Sequence, residues 1–301
     1  MSRILIIRGG ALGDFILTLP AIRLLRDAFP AAHLEILGYK QIISLAELNG
    51  LADATRSIEY AALSSFFSRG GELAPDLVEY FASFQQVVSY LFDPDEIFTT
   101  NLRRAGVRNL LVASPKVTGL EHAARQLARP LEGLALYLEE PAARILPNDT
   151  GRRDPSLIAI HPGSGSEKKN WPIEQFAALA ASLLDSNSLR KILLVGGEAD
   201  EARLAHLTAK LPNERVELAR SLPLPDLAHR LHECGMFLGH DSGISHLAAA
   251  VGTPCLLLFG PTDPAIWAPA NRQVRVLRSV DRTMAGIELS QVLASLGELT
   301  S

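Results

Sequence analysis

The sequence has few cysteines and no long apolar run. Its 301 residues include two cysteines, Cys234 and Cys255, which lie too far apart for a metal-binding pair such as CxxC. We interpret both as reduced thiols in the core of a cytoplasmic protein. No segment reaches the roughly 18 uninterrupted apolar residues of a membrane-spanning helix. The N-terminal residues also lack the three-part pattern of a signal peptide, so we expect a cytoplasmic location.

An excess of positive charge is also absent. The formal net charge is −4, which gives no global basic field for a nucleic-acid backbone, and we expect no nucleic-acid partner. Hydrophobic residues make up 48% of the chain and charged residues 21%, as in ordinary globular proteins.

Short apolar runs alternate with helical periodicity in both halves of the chain, which predicts parallel sheets with crossover helices. Strands are predicted at residues 4–7, 34–37, 87–91, 110–113, 157–160, 191–195, 236–239 and 255–259. Helices are predicted at residues 16–29, with a kink or break at Pro20, and at 41–48, 97–105, 120–127, 173–184, 198–210, 224–233 and 243–251.

A polar, turn-rich segment at residues 146–155 separates the two alternating regions and is the best candidate for a linker. It predicts domains 1–150 and 151–301, each of α/β class, with parallel sheets facing a central cleft. Ligands of such folds bind beyond the carboxyl ends of the strands, and three polar motifs of this chain fall at such ends.

The first motif is Arg8-Gly-Gly-Ala-Leu-Gly-Asp14. Gly9, Gly10 and Gly13 allow a tight turn from strand to helix, although the spacing fits neither the dinucleotide fingerprint nor the P-loop. Asp14 falls in the first helical turn. It is either a carboxylate that only interacts with the helix dipole, or a general base aimed into the cleft.

The second motif, HPGSGSEKKNWP at residues 161–172, predicts an anion site. Backbone amides of the Gly163-Ser164-Gly165 turn can approach a phosphate, and Lys168 or Lys169 can neutralise it. A solvated loop with two lysines is the alternative. That alternative does not explain why the lysines lie between a Gly-Ser-Gly turn and Trp171.

The third motif, GHDSGISH at residues 239–246, joins another strand to another helix. Asp241, Ser242 and His246 are too close in sequence for a hydrolase triad, and the GxSxG elbow is absent. We interpret the motif as a second turn that contacts a sugar or a phosphate. His161, His240 and His246 lack the spacing of metal ligands, so we predict no metal site.

Taken in order, GGALGDFILTLPAIRLLRDAFP, HPGSGSEKKNWP and GHDSGISHLAAAVGTPCLLLFGPTDP closely resemble glycosyltransferase family 9. These heptosyltransferases build the lipopolysaccharide inner core from ADP-heptose. The resemblance covers both halves of the chain and implies the GT-B architecture of two Rossmann-like domains. It implies that the first domain binds the acceptor, that the second binds the nucleotide sugar, and that the last helix packs back on the first domain.

The resemblance also implies an inverting, metal-independent transfer without a cofactor, with Asp14 as the general base. In the second domain it places Asp241 at the donor sugar. It assigns the following residues to the donor diphosphate and nucleotide: Ser164, Gly165, Ser166, Lys169, Glu201, Leu222, Ser242, Gly243 and His246. Glu201 is thereby the ribose-binding acid, although the alignment can shift this role to Glu198.

The acceptor is implied to be a glycolipid or another glycan, which would bring the protein to the cytoplasmic face of the inner membrane. Family members often carry a basic patch in the first domain, whereas residues 59–79 contain Arg69 as their only cation. Other cations follow at Arg103, Arg104, Arg108, Lys116, Arg125 and Arg129. They form either an acceptor-binding face or ordinary solvated surface.

Two other functions fit the same motifs. A GT-B-fold sugar-nucleotide epimerase shares the cleft but turns over its nucleotide sugar without an acceptor. A non-catalytic nucleotide-sugar-binding protein keeps the phosphate loops and has no working base. Asp14 favours a transferase over this last alternative.

Overall fold

The computed structural model describes residues 2–48, 50–145 and 153–300. It divides the chain into two compact units, residues 1–141 and 142–301. The predicted domain boundary at residue 150 and most of the predicted linker lie outside the described residues. Asp154 and Pro155, which end the predicted linker, already belong to a strand.

The first unit is built on a five-stranded, fully parallel sheet. Its strands are β1 (Arg3–Arg8), β2 (His33–Gly38), β3 (Ala54–Ser57), β4 (Gln86–Ser89) and β5 (Leu110–Val112). Their order across the sheet is β3-β2-β1-β4-β5. The central strand β1 is buried from Ile4 to Arg8, as its apolar run requires when helices cover both faces.

Four α-helices connect the described strands, and a fifth follows β5: α1 (Leu12–Ala28), α2 (Lys40–Ile43), α3 (Pro75–Ala82), α4 (Ile97–Arg104) and α5 (Ala123–Ala128). Of the kink or break predicted at Pro20, the break is wrong, because α1 runs through this residue as one helix, and the kink stays a prediction. Phe66, Phe81 and Phe98 pack ring against ring, with centroids 4.7 to 6.3 Å apart, and anchor α3 and α4 to the sheet.

The second unit contains a six-stranded parallel sheet. Its strands are β6 (Asp154–Ile160), β7 (Lys191–Gly196), β8 (Val216–Arg220), β9 (Cys234–His240), β10 (Cys255–Phe259) and β11 (Val274–Arg278). The order β11-β10-β9-β6-β7-β8 is that of a Rossmann fold, in which the chain reverses direction across the sheet between β6 and β9.

Six helices cover the second sheet: α6 (Ile173–Ser186), α7 (Glu201–Lys210), α8 (Leu224–Glu233), α9 (Gly243–Ala250), α10 (Pro264–Trp267) and α11 (Leu289–Thr300). The last helix, α11, packs on α6 within its own unit, where Val292 and Leu296 enter the core. Its predicted packing on the first domain stays a prediction.

The two parallel sheets confirm the predicted α/β class. Strands β3, β8 and β11 are additions to the predicted set, and each forms an edge of its sheet. Within the described ranges, no helix combines the length and the apolar character needed to cross a bilayer.

Candidate functional site

All three predicted motifs lie at the carboxyl ends of central strands, as expected. The first motif follows β1 in the first unit, whereas the second follows β6 and the third follows β9 in the second unit. In each sheet these strands lie at or beside the point where the strand order reverses, which is where ligands of such folds bind.

Asp14 occupies the third position of α1 in the first unit. Its Oδ2 accepts a hydrogen bond from the backbone N–H of Ala11 at 3.1 Å, so the side chain caps the helix start. Its Oδ1 lies 3.8 Å from a guanidinium nitrogen of Arg8. The side chain is 40% exposed, so the carboxylate is available to a ligand while the helix terminus and Arg8 both stabilise its charge.

The guanidinium of Arg8 is itself fixed in place. It is almost fully buried and donates to Thr18 Oγ1 at 3.0 Å and to the backbone oxygen of Asp14 at 3.1 Å. Burial lowers the pKa of Arg8, and the Asp14 carboxylate acts in the opposite direction. Arg8 therefore holds the start of α1 against the end of β1.

Gly10 has to be glycine in this turn. Its φ is +98°, and a Cβ there would lie 2.9 Å from Asp14 Oδ2. Gly9 faces the Leu91 side chain, and Gly13 lies inside the first turn of α1. The glycines thus shape a turn that leaves room for the Asp14 carboxylate.

In the second unit, the loops after β6 and β9 are joined by an ion pair. Lys169 Nζ lies 2.7 Å from Asp241 Oδ2, and the side chains are 31% and 10% exposed. The two residues are 72 positions apart, and the sheet order makes them neighbours. A lysine beside a carboxylate can bind an anionic sugar nucleotide. The lysine binds its phosphate groups, and the carboxylate accepts hydrogen bonds from its hydroxyl groups.

The loop after β6 is held by its own side chains. Ser164 Oγ donates to the backbone oxygen of Ser166 or to Asn170 Oδ1, at 2.8 and 2.7 Å. Gly165 is exposed, and no atom would meet a Cβ there within 4 Å. The Gly-Ser-Gly turn therefore leaves backbone open for a ligand, as the anion-site interpretation expects.

His240, at the end of β9, is fully buried and ties the two loops together. Its Nε2 accepts the backbone N–H of Trp171 at 2.8 Å, and its Nδ1 donates to the backbone oxygen of Gly163 at 3.3 Å. These partners require the neutral ring. Desolvation by burial lowers the pKa of His240 to about 3, which keeps the ring neutral.

Asp200, which no sequence motif singled out, also lies in the candidate site. Its carboxylate accepts from the Gly197 N–H at 3.0 Å and lies 3.4 Å from His161 Nε2. Burial opposes the charged form, but the hydrogen bonds from His161 and Gly197 hold the pKa of Asp200 below its ordinary value. The sequence signal for Asp200 is its place three positions after Gly197, where an acidic side chain can bond back to the N–H at the start of a helix.

On its other side, His161 reaches Ser242. His161 Nδ1 lies 3.3 Å from Ser242 Oγ, which also accepts from the Ser245 N–H and so caps α9. Asp200, His161 and Ser242 therefore link the turns after β7, β6 and β9. The order resembles a hydrolase triad, but both contacts exceed 3.2 Å and the serine serves as a helix cap.

The N terminus of α9 presents Gly243 directly after its Ser242 cap, and His246 is buried one turn later. Glu201 begins α7, is exposed, and pairs with Arg220 at 2.5 Å. Glu198 is exposed as well, and Leu222 is half-buried after β8. These residues thus follow the carboxyl ends of β7, β8 and β9 in one sheet.

Three of the six cations between residues 103 and 129 make side-chain hydrogen bonds or ion pairs. Arg104 donates to the backbone oxygen of Gly71, Arg125 donates to those of Leu138 and Glu139, and Arg129 pairs with Glu121. Whether this group binds an acceptor stays a prediction. Within the parts of the chain that the structure describes, no group of three or more His, Cys, Asp or Glu side chains could hold a metal ion.

Comparison with known proteins identifies one matching family. The family model of glycosyltransferase family 9 (heptosyltransferase) matches residues 123–292, more than half of the chain. Over 168 residues the chain is 28% identical to lipopolysaccharide heptosyltransferase 2 of Salmonella typhimurium, which covers 54% of this chain and 48% of the relative. The chain spans about half the length of the curated relatives it matches.

Two solved structures share the fold along nearly the whole chain. An ADP-heptose lipopolysaccharide heptosyltransferase II of E. coli superposes with a TM-score of 0.80 at 18% identity, covering 100% of this chain and 98% of that one. E. coli heptosyltransferase WaaC with ADP-2-deoxy-2-fluoro heptose gives 0.73 at 19% identity, covering 98% and 99%. These likenesses confirm the predicted GT-B fold.

Gly163→Ala tests the packing of the Asp200 carboxylate. A Cβ on Gly163 would lie 1.6 Å from Asp200 Oδ1, so the carboxylate must leave its partners. We expect the free energy of unfolding to fall by about 1–3 kcal/mol. It is measured by urea unfolding with tryptophan fluorescence, since both tryptophans, Trp171 and Trp267, lie in the second unit. Gly165→Ala, which meets no atom within 4 Å, is the control, and equal stability of the two variants would contradict this packing.

His240→Gln tests the buried neutral imidazole. The folded pKa of about 3 lies below the ordinary value of 6.5, so the stability that wild type gains from this ring is complete above pH 6.5 and lost as the pH falls toward 3. Wild type should exceed the variant in unfolding free energy at pH 7, and the gap should shrink by about 1.4 kcal/mol per pH unit below 6.5. His229→Gln, on α8, is the control. A constant gap between wild type and His240→Gln would show that folding does not lower the pKa of this ring.

Proposed function

The chain belongs to glycosyltransferase family 9, and from that premise we propose that it is an inverting glycosyltransferase. Its proposed donor is ADP-heptose, and its proposed acceptor is a lipopolysaccharide core or a related glycan. Relatives named lipopolysaccharide heptosyltransferases support the reaction, and a related structure that holds an ADP-linked fluoro-heptose supports the donor. The observation that carries the proposal is the Lys169–Asp241 pair at the strand-order reversal of the second sheet.

The donor diphosphate is proposed to lie between the loop after β6 and the N terminus of α9. Ser164, Gly165 and Ser166 supply hydroxyl and backbone donors from the loop. Ser242, Gly243 and His246 lie at the helix start, where the dipole favours an anion. Lys169 turns from Asp241 toward the phosphates and offsets their charge.

The remaining donor contacts are proposed from the same sheet edge. Asp241, released from Lys169, accepts hydrogen bonds from hydroxyl groups of the donor sugar. Glu201 is proposed for the ribose, and Leu222 for one wall of the adenine pocket. The exposed Glu201–Arg220 pair costs little to break, because surface ion pairs contribute little to stability.

Asp14 is proposed as the general base. As the acceptor oxygen forms its bond to the anomeric carbon, its proton passes to an Asp14 oxygen. The bond from the anomeric carbon to the phosphate oxygen breaks on the opposite face, and ADP leaves with the electron pair. Oδ1 is the better acceptor of the proton, since Oδ2 already accepts the Ala11 N–H and caps the helix.

The departing ADP needs positive charge near its phosphates. The N terminus of α9 and Lys169, once it has turned from Asp241, supply this charge, so we propose that transfer needs no metal ion and no cofactor. With residues 151–301 on the donor side, residues 1–150 bind the acceptor. A lipid-linked acceptor would place the protein at the cytoplasmic face of the inner membrane.

Asp14→Asn should separate catalysis from donor binding. The amide still accepts the Ala11 N–H but cannot take a proton, so we expect transfer to fall by at least about 100-fold while affinity for ADP-heptose is unchanged. Transfer is followed by ADP release, and binding by calorimetry. Asp27→Asn, near the exposed end of the same helix, is the matched control. Retention of most transfer activity in Asp14→Asn would sink the base assignment.

Lys169→Ala should weaken ADP binding by roughly 10- to 100-fold, the effect of losing one charge-assisted hydrogen bond. Binding of adenosine, which has no phosphate, should not change, and this comparison separates the phosphate contact from damage around Asp241. The neighbouring Lys168 is exposed, so Lys168→Ala is the matched control for calorimetry. Equal affinity of both variants for ADP would rule out the phosphate role of Lys169.

A further inference from the structure

Exposed aromatic side chains are concentrated in the first unit. Among the described residues, all aromatic side chains classed as exposed lie there: Phe29, Tyr39, Tyr60, Phe67, Phe92 and Tyr137. The five aromatic residues of the second unit are buried or half-buried. Rings that stay exposed in this unit are available to contact a ligand.

Two of these rings flank the turn that carries Asp14. Tyr39 directly follows β2 and Phe92 lies just after β4, the strands that pair with β1 on its two sides. Their chain neighbours touch the turn itself. Gly38 packs so closely that a Cβ on it would lie 2.5 Å from the backbone oxygen of Arg8, and Leu91 Cδ1 lies 3.3 Å from where a Cβ of Gly9 would be.

The two rings are open to solvent beside a polar centre. Tyr39 is 44% exposed and Phe92 is 58% exposed. Strands β2 and β4 are two strand spacings apart, about 10 Å, with the Asp14 turn between them. A sugar ring stacked on either side chain would therefore lie beside the strand that leads into the Asp14 turn.

We propose that Tyr39 and Phe92 form an aromatic subsite that stacks on a sugar ring of the acceptor and presents its hydroxyl group to Asp14. This inference rests on the proposed function. The C–H groups on one face of a sugar ring carry partial positive charge and fit the negative face of an aromatic ring. The subsite thus recognises the acceptor by the apolar face of a sugar rather than by a cluster of cations.

The surrounding charges favour a glycan over a membrane surface. The exposed Asp95 and Glu96 follow Phe92 closely, and their carboxylates would be repelled by anionic lipid headgroups. The same carboxylates can accept hydrogen bonds from sugar hydroxyls. Lys116, whose ammonium lies 4.5 Å from the centre of the Phe92 ring, holds that ring in place from one side.

Saturation-transfer NMR on the full chain tests the subsite without requiring transfer. The probe is lipid-free core oligosaccharide from a lipopolysaccharide that ends before its heptoses. We expect Tyr39→Ala and Phe92→Ala each to weaken binding by roughly 3- to 10-fold. Phe92→Trp should bind like wild type, whereas Phe92→Leu should not, because a flat ring is needed.

The first unit offers matched controls. Phe29 follows the end of α1 and precedes the start of β2, so it lies at the amino ends of the strands, away from the Asp14 turn. Tyr137 lies beyond α5. Both side chains are exposed, as Tyr39 and Phe92 are, but neither belongs to the proposed subsite. Phe29→Ala and Tyr137→Ala should therefore bind the oligosaccharide like wild type.

The outcomes separate this inference from the proposed function. Oligosaccharide binding that the Tyr39→Ala/Phe92→Ala double variant loses, with no heptose transfer by wild type, would support the subsite and sink only the proposed reaction. No binding by wild type, or equal binding by the double variant, would overturn the subsite. A double variant that instead loses only sedimentation with anionic phospholipid vesicles would also overturn it and assign the rings to a membrane.

Discussion

A neutral imidazole without access to water fixes the loop after β6 against the end of β9 in the second unit. His240 comes from the last position of β9, yet both of its partners, Gly163 and Trp171, belong to the segment after β6. The ring can make both hydrogen bonds only when it is uncharged. Burial favours the same uncharged form, so burial and hydrogen bonding both stabilise the neutral ring. The indole of Trp171 in turn donates to Ile287, and its ring packs on Phe176. This framework keeps Lys169 close enough to Asp241 to form their ion pair.

Most of the fold was predictable from the sequence, because central strands and their helices have strong apolar periodicity. The strands that were missed have a shared physical cause. β3, β8 and β11 lie at sheet edges, are only partly buried, and each contains at least one arginine, so no apolar run marks them. The break expected at Pro20 did not occur, because nine residues of α1, Pro20 included, are buried and packing outweighs the missing N–H.

The site was predictable motif by motif, but its contacts between motifs were not. The apolar runs of the strands before them predicted the turn at Asp14 and the loops around Ser164 and Ser242. The pairing of Lys169 with Asp241 depends on which strands are neighbours, which local sequence does not encode. Asp200 was overlooked between Glu198 and Glu201, since only the folded turn shows that it alone of the three reaches His161.

We propose that this chain transfers heptose with inversion from ADP-heptose to a glycan. The most direct measurement incubates the purified protein with ADP-heptose and a lipopolysaccharide that ends before its heptoses, followed by mass spectrometry and NMR of the product. We predict an acceptor heavier by one heptose residue, joined with the opposite anomeric configuration to that in the donor. An unmodified acceptor, conversion of ADP-heptose alone, or a product with retained configuration would contradict this claim.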